Sequence, residues 1–167
     1  SQGDSVDVGG DALLAVLQKT NIANVNIYGT DLMLNWKPSK YFNFMMNYSY
    51  NSSKIGSMNS SNPEVMKLSG KYLAEVPAHI LGLYSDFSIK GFHLSLSCNH
   101  TSDQWYDDEN MEIVEAYNLF NAKLSKKIFK NLFAAVSVED ILDSHYIDRK
   151  GYLSPGRFIL GELRFSF

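Results

Sequence analysis

Long runs in which every second residue is apolar constrain this 167-residue chain more than any other feature, because that period belongs to β-strands with one greasy face. Tyr28, Thr30, Leu32, Leu34 and Trp36 alternate with Ile27, Gly29, Asp31, Met33 and Asn35. Phe42, Phe44, Met46, Tyr48 and Tyr50 alternate with Asn43, Asn47, Ser49 and Asn51, Met45 being the one exception. After Gly91 the pattern returns, with Phe92, Leu94, Leu96 and Cys98 set against His93, Ser95, Ser97 and Asn99. Weaker alternations fill 78–89, 114–127 and 131–142, and a last run opposes Ile159, Gly161, Leu163, Phe165 and Phe167 to Glu162, Arg164 and Ser166. With 25–37 as the first, the count is seven strands. Only residues 11–19 (DALLAVLQK) have helical composition, and they are too few to stand as a helix alone.

The connections alternate too. Pro38-Ser39-Lys40, Lys90-Gly91 and 127–130 are tight, whereas 53–77, 105–113 and 143–156 are long. Short turns at one end and long loops at the other are the habit of antiparallel barrels that cross an outer membrane. Runs of about 11 residues, tilted by about 40°, span roughly 25–30 Å, the height of the apolar band of such a barrel, whereas soluble strands average about 5–6 residues. Aromatics gather at strand ends: Trp36, Tyr41, Phe42 and Phe129 near the tight turns, and Tyr48, Tyr50, Trp105, Tyr106 and Tyr117 near the long loops, as two interfacial girdles require. The mean hydropathy of −0.18 agrees, since alternating strands average near zero, and no apolar stretch is long enough for a transmembrane helix. The fold class expected is all-β, an antiparallel transmembrane barrel segment of about seven strands.

If the last strand ends at the periplasm, the three long loops face outward, and residues 1–24 belong to a further outward loop, leaving 25–167 as the wall. Such a chain begins in mid-barrel, as a truncated or surface-nicked barrel would. Residues 1–10 carry no basic segment followed by an apolar core, so no signal peptide is read there. Seven strands do not close a barrel of the usual even number, and an open edge in lipid leaves backbone groups unpaired, so further strands are needed.

Several functional classes are disfavoured. A net charge of −3 and a pI near 5.8 give no basic field for nucleic acid. Cys98, the single cysteine, reads as a small packed residue on an apolar strand face. His79, His93, His100 and His145 are scattered without ligand spacing, so neither metal nor cofactor is expected from them. Asp103, Asp107, Asp108 and Glu109 crowd one long loop beside Trp105 and Tyr106; these six are candidate ligand contacts. Their carboxylates suit a hard cation in principle, but the spacing is no known calcium loop, and a solvated acidic loop is the simpler reading. Neither Gly-x-Ser-x-Gly nor His-Glu-x-x-His occurs, so no enzyme is expected.

Five segments in order, 26–32 (NIYGTDL), 73–84 (beginning LAEVPAH), 106–125 (YDDEN to AYNLFNAKLS), 138–146 (VEDILDSHY) and Pro155-Gly156-Arg157, resemble the closing strands of TonB-dependent outer-membrane receptors. Residues 26–32 (NIYGTDL) are similar to that family's x-I-x-G-x-E-L, and 73–79 (LAEVPAH), followed by Leu81-Gly82-Leu83-Tyr84, to L-P-x-V-P-x-H. Residues 106–110 (YDDEN) and 116–125 (AYNLFNAKLS) resemble Y-x-D-x-x-N and A-Y-x-L-x-D-A-x-L-S; 138–146 (VEDILDSHY) resembles V-E-N-L-F-D-x-x-Y; and Pro155-Gly156-Arg157 with a terminal Phe resembles the family's close. Asp140 stands for the usual Asn, Leu142 for Phe and Asn121 for Asp. The likeness covers about 21–167.

The resemblance implies a barrel of twenty-two strands whose remaining wall, plug and TonB-contacting segment are outside this sequence. It implies import of a scarce nutrient (siderophore, cobalamin, haem, glycan or peptide) across the outer membrane of a Gram-negative bacterium, with lipid, plug, TonB complex and the outer-membrane assembly machinery as partners. Ile159, Leu163, Phe165 and Phe167 would be the assembly signal, and Asp31, Asn43, Asn47, Ser95, Asn99, Asn121, Lys123, Glu162 and Arg164 would line the lumen or touch the plug. A passive structural or adhesive barrel is the rival reading, and a soluble β-sandwich a third.

Overall fold

Seven consecutive antiparallel strands form one sheet in a computed structural model of the chain, which describes residues 3–7, 13–17, 23–58, 63–149 and 152–165. The strands are β3 (Ala23–Ser39), β4 (Phe42–Met58), β5 (His79–Ile89), β6 (Phe92–Thr101), β9 (Tyr117–Phe129), β10 (Leu132–Glu139) and β13 (Phe158–Phe165). Their order, β13-β10-β9-β6-β5-β4-β3, is a pure meander in which each long strand pairs with the next in sequence. Smaller hairpins decorate the long-loop end: β7 (Gln104–Trp105) with β8 (Ile113–Val114), and β11 (Ile147–Arg149) with β12 (Tyr152–Leu153). A four-residue helix, α1 (Pro63–Met66), follows β4. Near the start, β1 (Gly3–Asp7) pairs with β2 (Leu13–Leu17), so the segment of helical composition holds a strand; its apolar run LLAVL meets an extended partner instead of completing helical turns.

Register sorts the side chains onto two faces, because directly paired residues share a face of the pleat. Leu34↔Met46, Met46↔Leu83, Leu83↔Cys98 and Cys98↔Phe120 carry one apolar row across five strands, and Leu94↔Leu124, Leu124↔Val136 and Ala134↔Leu163 extend that face to β13. The half-buried Cys98 is packed within it. Asn47↔Gly82 and Gly82↔Asn99 lie on the other face, which is polar with apolar members such as Met33 and Leu160. Only Ile55 and Ala135, at 4% and 5% exposure, are buried apolar residues among those described. A single sheet with a continuous greasy face and almost no core needs an apolar solvent, not a second layer. Among the described residues no helix is long and apolar enough to cross a membrane, so any crossing belongs to the strands.

Two strands run longer than the alternation foretold. β3 and β4 have 17 residues each, and β4 continues through Ser53–Met58, a stretch expected to be loop. The returning chain takes over the pairing that β5 leaves at His79. Ile55 N–H donates to Lys71 C=O at 2.8 Å, Gly70 N–H to Ile55 C=O at 2.7 Å, and Leu73 N–H to Ser53 C=O at 3.0 Å. At about 3.4 Å per residue and a tilt near 40°, this hairpin is roughly 44 Å tall, so its upper third stands clear of an apolar band of about 25 Å. The sheet does not close: β3 and β13 each lack a neighbour on one side among the described residues.

Candidate functional site: the polar wall and the long-loop end

The nine residues expected to line a lumen all fall on the polar face. Asn43↔Asp86, Asp86↔Ser95 and Ser95↔Lys123 form one row, Asp31↔Ser49 belongs to another, and Glu162 and Arg164 occupy alternate positions of β13. Polar side chains there satisfy each other across strands. Ser49 donates to Asp31 Oδ1 at 2.5 Å, Ser95 to Asp86 Oδ1 at 2.6 Å, and Asn121 Nδ2 to Ser97 Oγ at 3.0 Å. Lys123 reaches across β10 to Glu162 Oε2 at 3.3 Å, and the Arg164 guanidinium lies 4.9 Å from the centre of the Phe133 ring. Gly82 lets this wall hold an aromatic. A Cβ there would meet Tyr84 Cε2 at 2.9 Å, because the ring of Tyr84 lies over Gly82 and its hydroxyl donates to Asn99 Oδ1 at 3.0 Å.

Beneath the long loops this face holds a concavity of about 620 Å³ bordered by Tyr84, Asp86, Asn121, Lys123, Glu139 and Asp140. Asp140, which the sequence reading treated only as a departure from a motif, is its most constrained member. Its φ is 48° and its N–H donates to Asn121 Oδ1 at 2.9 Å. One carboxylate oxygen accepts the Ser144 N–H at 2.7 Å, and the other is buried without a hydrogen-bond partner among the described residues. Its signal in the sequence was the position's usual Asn, which tolerates positive φ more readily than most residues other than glycine.

The acidic loop is folded onto its neighbour. Asp107 Oδ2 accepts the Glu112 N–H at 2.9 Å and Oδ1 accepts that of Met111 at 3.1 Å. Asp108 Oδ1 accepts the Ala74 N–H at 3.1 Å, and the Trp105 C=O accepts that of Glu75 at 2.8 Å. Asn110, absent from the candidate contacts, joins both sides: Oδ1 accepts the Tyr72 N–H at 2.8 Å and Nδ2 donates to the Tyr72 C=O at 2.9 Å, while Lys71 Nζ bonds the Glu109 C=O. Partial burial raises the Asp107 carboxyl, but the N–H donors of Met111, Glu112 and Glu109 and the charge of Lys71 outweigh it, holding the group below its ordinary range. The Asp107 and Asp108 carboxylates thus serve as turn former and latch, and Asp103, Asp108 and Glu109 are the exposed acids of the six candidates. Tyr106 donates its N–H to the Glu112 C=O at 2.9 Å, which continues the β7–β8 hairpin.

The histidines stay apart, each with a local partner. Tyr48 Oη and His79 Nδ1 are 2.8 Å apart, Ser88 Oγ and His93 Nδ1 2.8 Å, and His100 Nδ1 and Asn118 Oδ1 2.9 Å; His145 Nδ1 lies 3.0 Å from the Asp143 C=O. Among the described residues no three His, Cys, Asp or Glu gather as a metal set. Aromatics do form a band at each end: Trp36, Phe42 and Phe87 in contact by the short turns, and Tyr48, Tyr50 and His79 stacked toward the loops. Of the four expected assembly-signal residues, Ile159, Leu163 and Phe165 share the exposed apolar face of β13, and Phe167 lies outside the described residues.

Comparison with known proteins gives this two-faced sheet its relatives. No curated protein sequence matches the chain. Among solved structures it is similar to the siderophore receptor PiuA from Acinetobacter baumannii (TM-score 0.76, 18% identity, 87% of this chain and 22% of that one). It is similar also to the ferric yersiniabactin uptake receptor FyuA from Yersinia pestis (0.71, 14%, 88% and 24%) and to BauA, the ferric preacinetobactin receptor from A. baumannii (0.68, 15%, 99% and 26%). The chain therefore spans about a quarter or less of the lengths of these structures, and at such identities the likeness is one of fold. The family model for the TonB-dependent receptor-like β-barrel matches residues 1–139. On that match the chain belongs to the TonB-dependent receptor family, as a portion of its β-barrel.

Proposed function

We propose that the chain forms part of the wall of an energised importer in the outer membrane of a Gram-negative bacterium, with its apolar face to lipid and its polar face to a lumen filled by a plug. The observation that carries this reading is the continuous polar face, on which all nine expected lumen residues meet behind an apolar face seven strands wide. An apolar outer and a polar inner face are the pattern of an outer-membrane barrel, and the family match favours the importer over the adhesive reading. In this reading the short turns are periplasmic, the long loops are external, and residues 1–24 belong to an outward loop. The exposed Asp103 and Glu109, with Trp105 and Tyr106, stand at the mouth where cargo arrives. Ile159, Leu163, Phe165 and Phe167 serve as the assembly signal, and the plug and TonB complex are the partners that couple energy to transport. The cargo belongs to the scarce, bulky nutrients, as siderophores do for the similar receptors named above.

Deleting the gene and measuring uptake of labelled ferric siderophores, cobalamin, haem, glycans and peptides tests this. Loss of uptake of one class, with the same loss in wild-type cells whose proton-motive force is collapsed, is the expected result. Unchanged uptake of every class, with loss of surface attachment instead, would give the function to the adhesive rival.

A further inference from the structure

We infer that the short-turn end of the sheet is a cationic collar that holds the headgroups of anionic phospholipids, an inference that rests on the membrane-barrel reading above. Charge in this chain is segregated by height. Lys37 and Lys40 flank the first tight turn, Lys90 sits in the second, and Lys126, Lys127 and Lys130 gather at the third. Arg164 lies beside them near the end of β13. Seven of the chain's 15 lysines and arginines thus occupy one end, and none of the carboxylates of the described residues does. The first acids above the second turn and on β13, Asp86 and Glu162, are each in the fourth pair from that end, and both are engaged, with Ser95 and Lys123. The net charge of −3 conceals this end because the acids collect beyond it.

The collar borders the apolar face. Lys126 shares a row with Phe92 and Ala134, its ammonium 4.0 Å from the centre of the Phe92 ring, and the Lys40 ammonium lies 5.0 Å from that of Tyr41. Phe129 and Ile89 are exposed at the same level, 69% and 60%. Rings at the edge of an apolar band occupy the interface, and ammoniums held against them stand where lipid phosphates lie. The cations are also strung along the wall: consecutive tight turns are two strands apart, about 10 Å. That spacing suits a row of small anions along the perimeter better than one acidic segment. Only Lys127, Lys130 and Arg164 converge, around a recess of about 340 Å³ reached from the polar face, and this separates the two occupants experimentally.

The test uses the intact receptor that carries this chain, reconstituted in vesicles of phosphatidylcholine mixed with phosphatidylglycerol, with retained lipid counted by native mass spectrometry. The wild type is expected to retain phosphatidylglycerol about threefold above its bulk share, and to lose the excess in high salt as screening shortens the reach of the lysines. The combined Lys40→Gln, Lys90→Gln and Lys126→Gln variant is expected to fall to the bulk share. No excess in the wild type, or an excess insensitive to both salt and these substitutions, overturns the collar. So does an excess lost only in Lys127→Gln with Arg164→Gln, which would give the anion to the inner recess. Failure to insert into vesicles of either composition overturns the membrane reading itself.

Discussion

At the scale of single residues, two aspartates in the long loops behave oppositely. Asp107 is surrounded by donors that favour its charged form, so its carboxyl titrates below the ordinary value of 3.8. A depressed value in the folded chain means that the loop's stabilisation is complete above the ordinary range and lost as the pH falls through the lowered one. Protection of the Met111 and Glu112 amides, taken relative to their intrinsic exchange rates and followed against pH in the intact receptor, is expected to fall only below pH 3.8; loss of protection at or above it would contradict the hydrogen-bonded geometry. Asp140 instead keeps one buried oxygen unpartnered at positive φ. Asn retains the bond to Ser144 through its single side-chain oxygen, tolerates the backbone better and leaves a neutral Nδ2 amino group rather than a charged oxygen unmet, so Asp140→Asn is expected to stabilise by about 1 kcal/mol. The midpoint of thermal unfolding should rise, and a fall would show that the carboxylate has a partner in the whole receptor.

At the scale of elements, the hairpins are held by register and by a few side chains that cross it. The β5–β6 pair carries one such device in Tyr84, whose ring occupies the space above Gly82. Gly82→Val is expected to displace the ring and break the bond to Asn99, costing about 1–2 kcal/mol in urea unfolding. In that background Tyr84→Phe should cost nothing further. An undiminished cost of Tyr84→Phe in the double variant would mean that the ring does not lie where Gly82 permits it. The same scale explains why the end of β4 escaped the alternation pattern. Ser53-Lys54-Ile55-Gly56 has no clean period of two, yet Lys71 and Leu73 return to supply its hydrogen bonds. Pairing supplied from 16 to 20 residues away in the chain leaves no mark on the local sequence.

At the scale of the molecule, an open sheet seven strands wide exposes its greasy face and two edges that have no neighbour among the described residues. Leu163 is 79% exposed on the edge strand β13, and Leu32 and Trp36 are exposed on β3 at the other edge. Unpaired strand edges in lipid cost several kcal/mol per unsatisfied group, and in water they template association. The 167-residue chain produced alone is therefore expected to associate in aqueous buffer and to insert into vesicles poorly. Sedimentation of the isolated chain as a single stable monomer without detergent would contradict a wall that needs neighbours.

The sequence alone determined the seven wall strands, their two faces and the beat of short and long connections, because a period of two and the placement of turn residues are local properties that each run carries in itself; it did not mark the hairpins β1–β2, β7–β8 and β11–β12 or the end of β4. The family likeness was legible for the same reason, in segments such as 116–125 and 138–146 whose order survives. Only the tertiary structure decided what the loop side chains do. Asp107 and Asp108 read as a solvated acidic cluster, but their partners are backbone N–H groups of their own loop and of the loop before it, reached through residues as distant as Ala74. The segregation of lysines at one end became visible only once three separate turns were placed side by side, since charge is counted along a chain but felt through space.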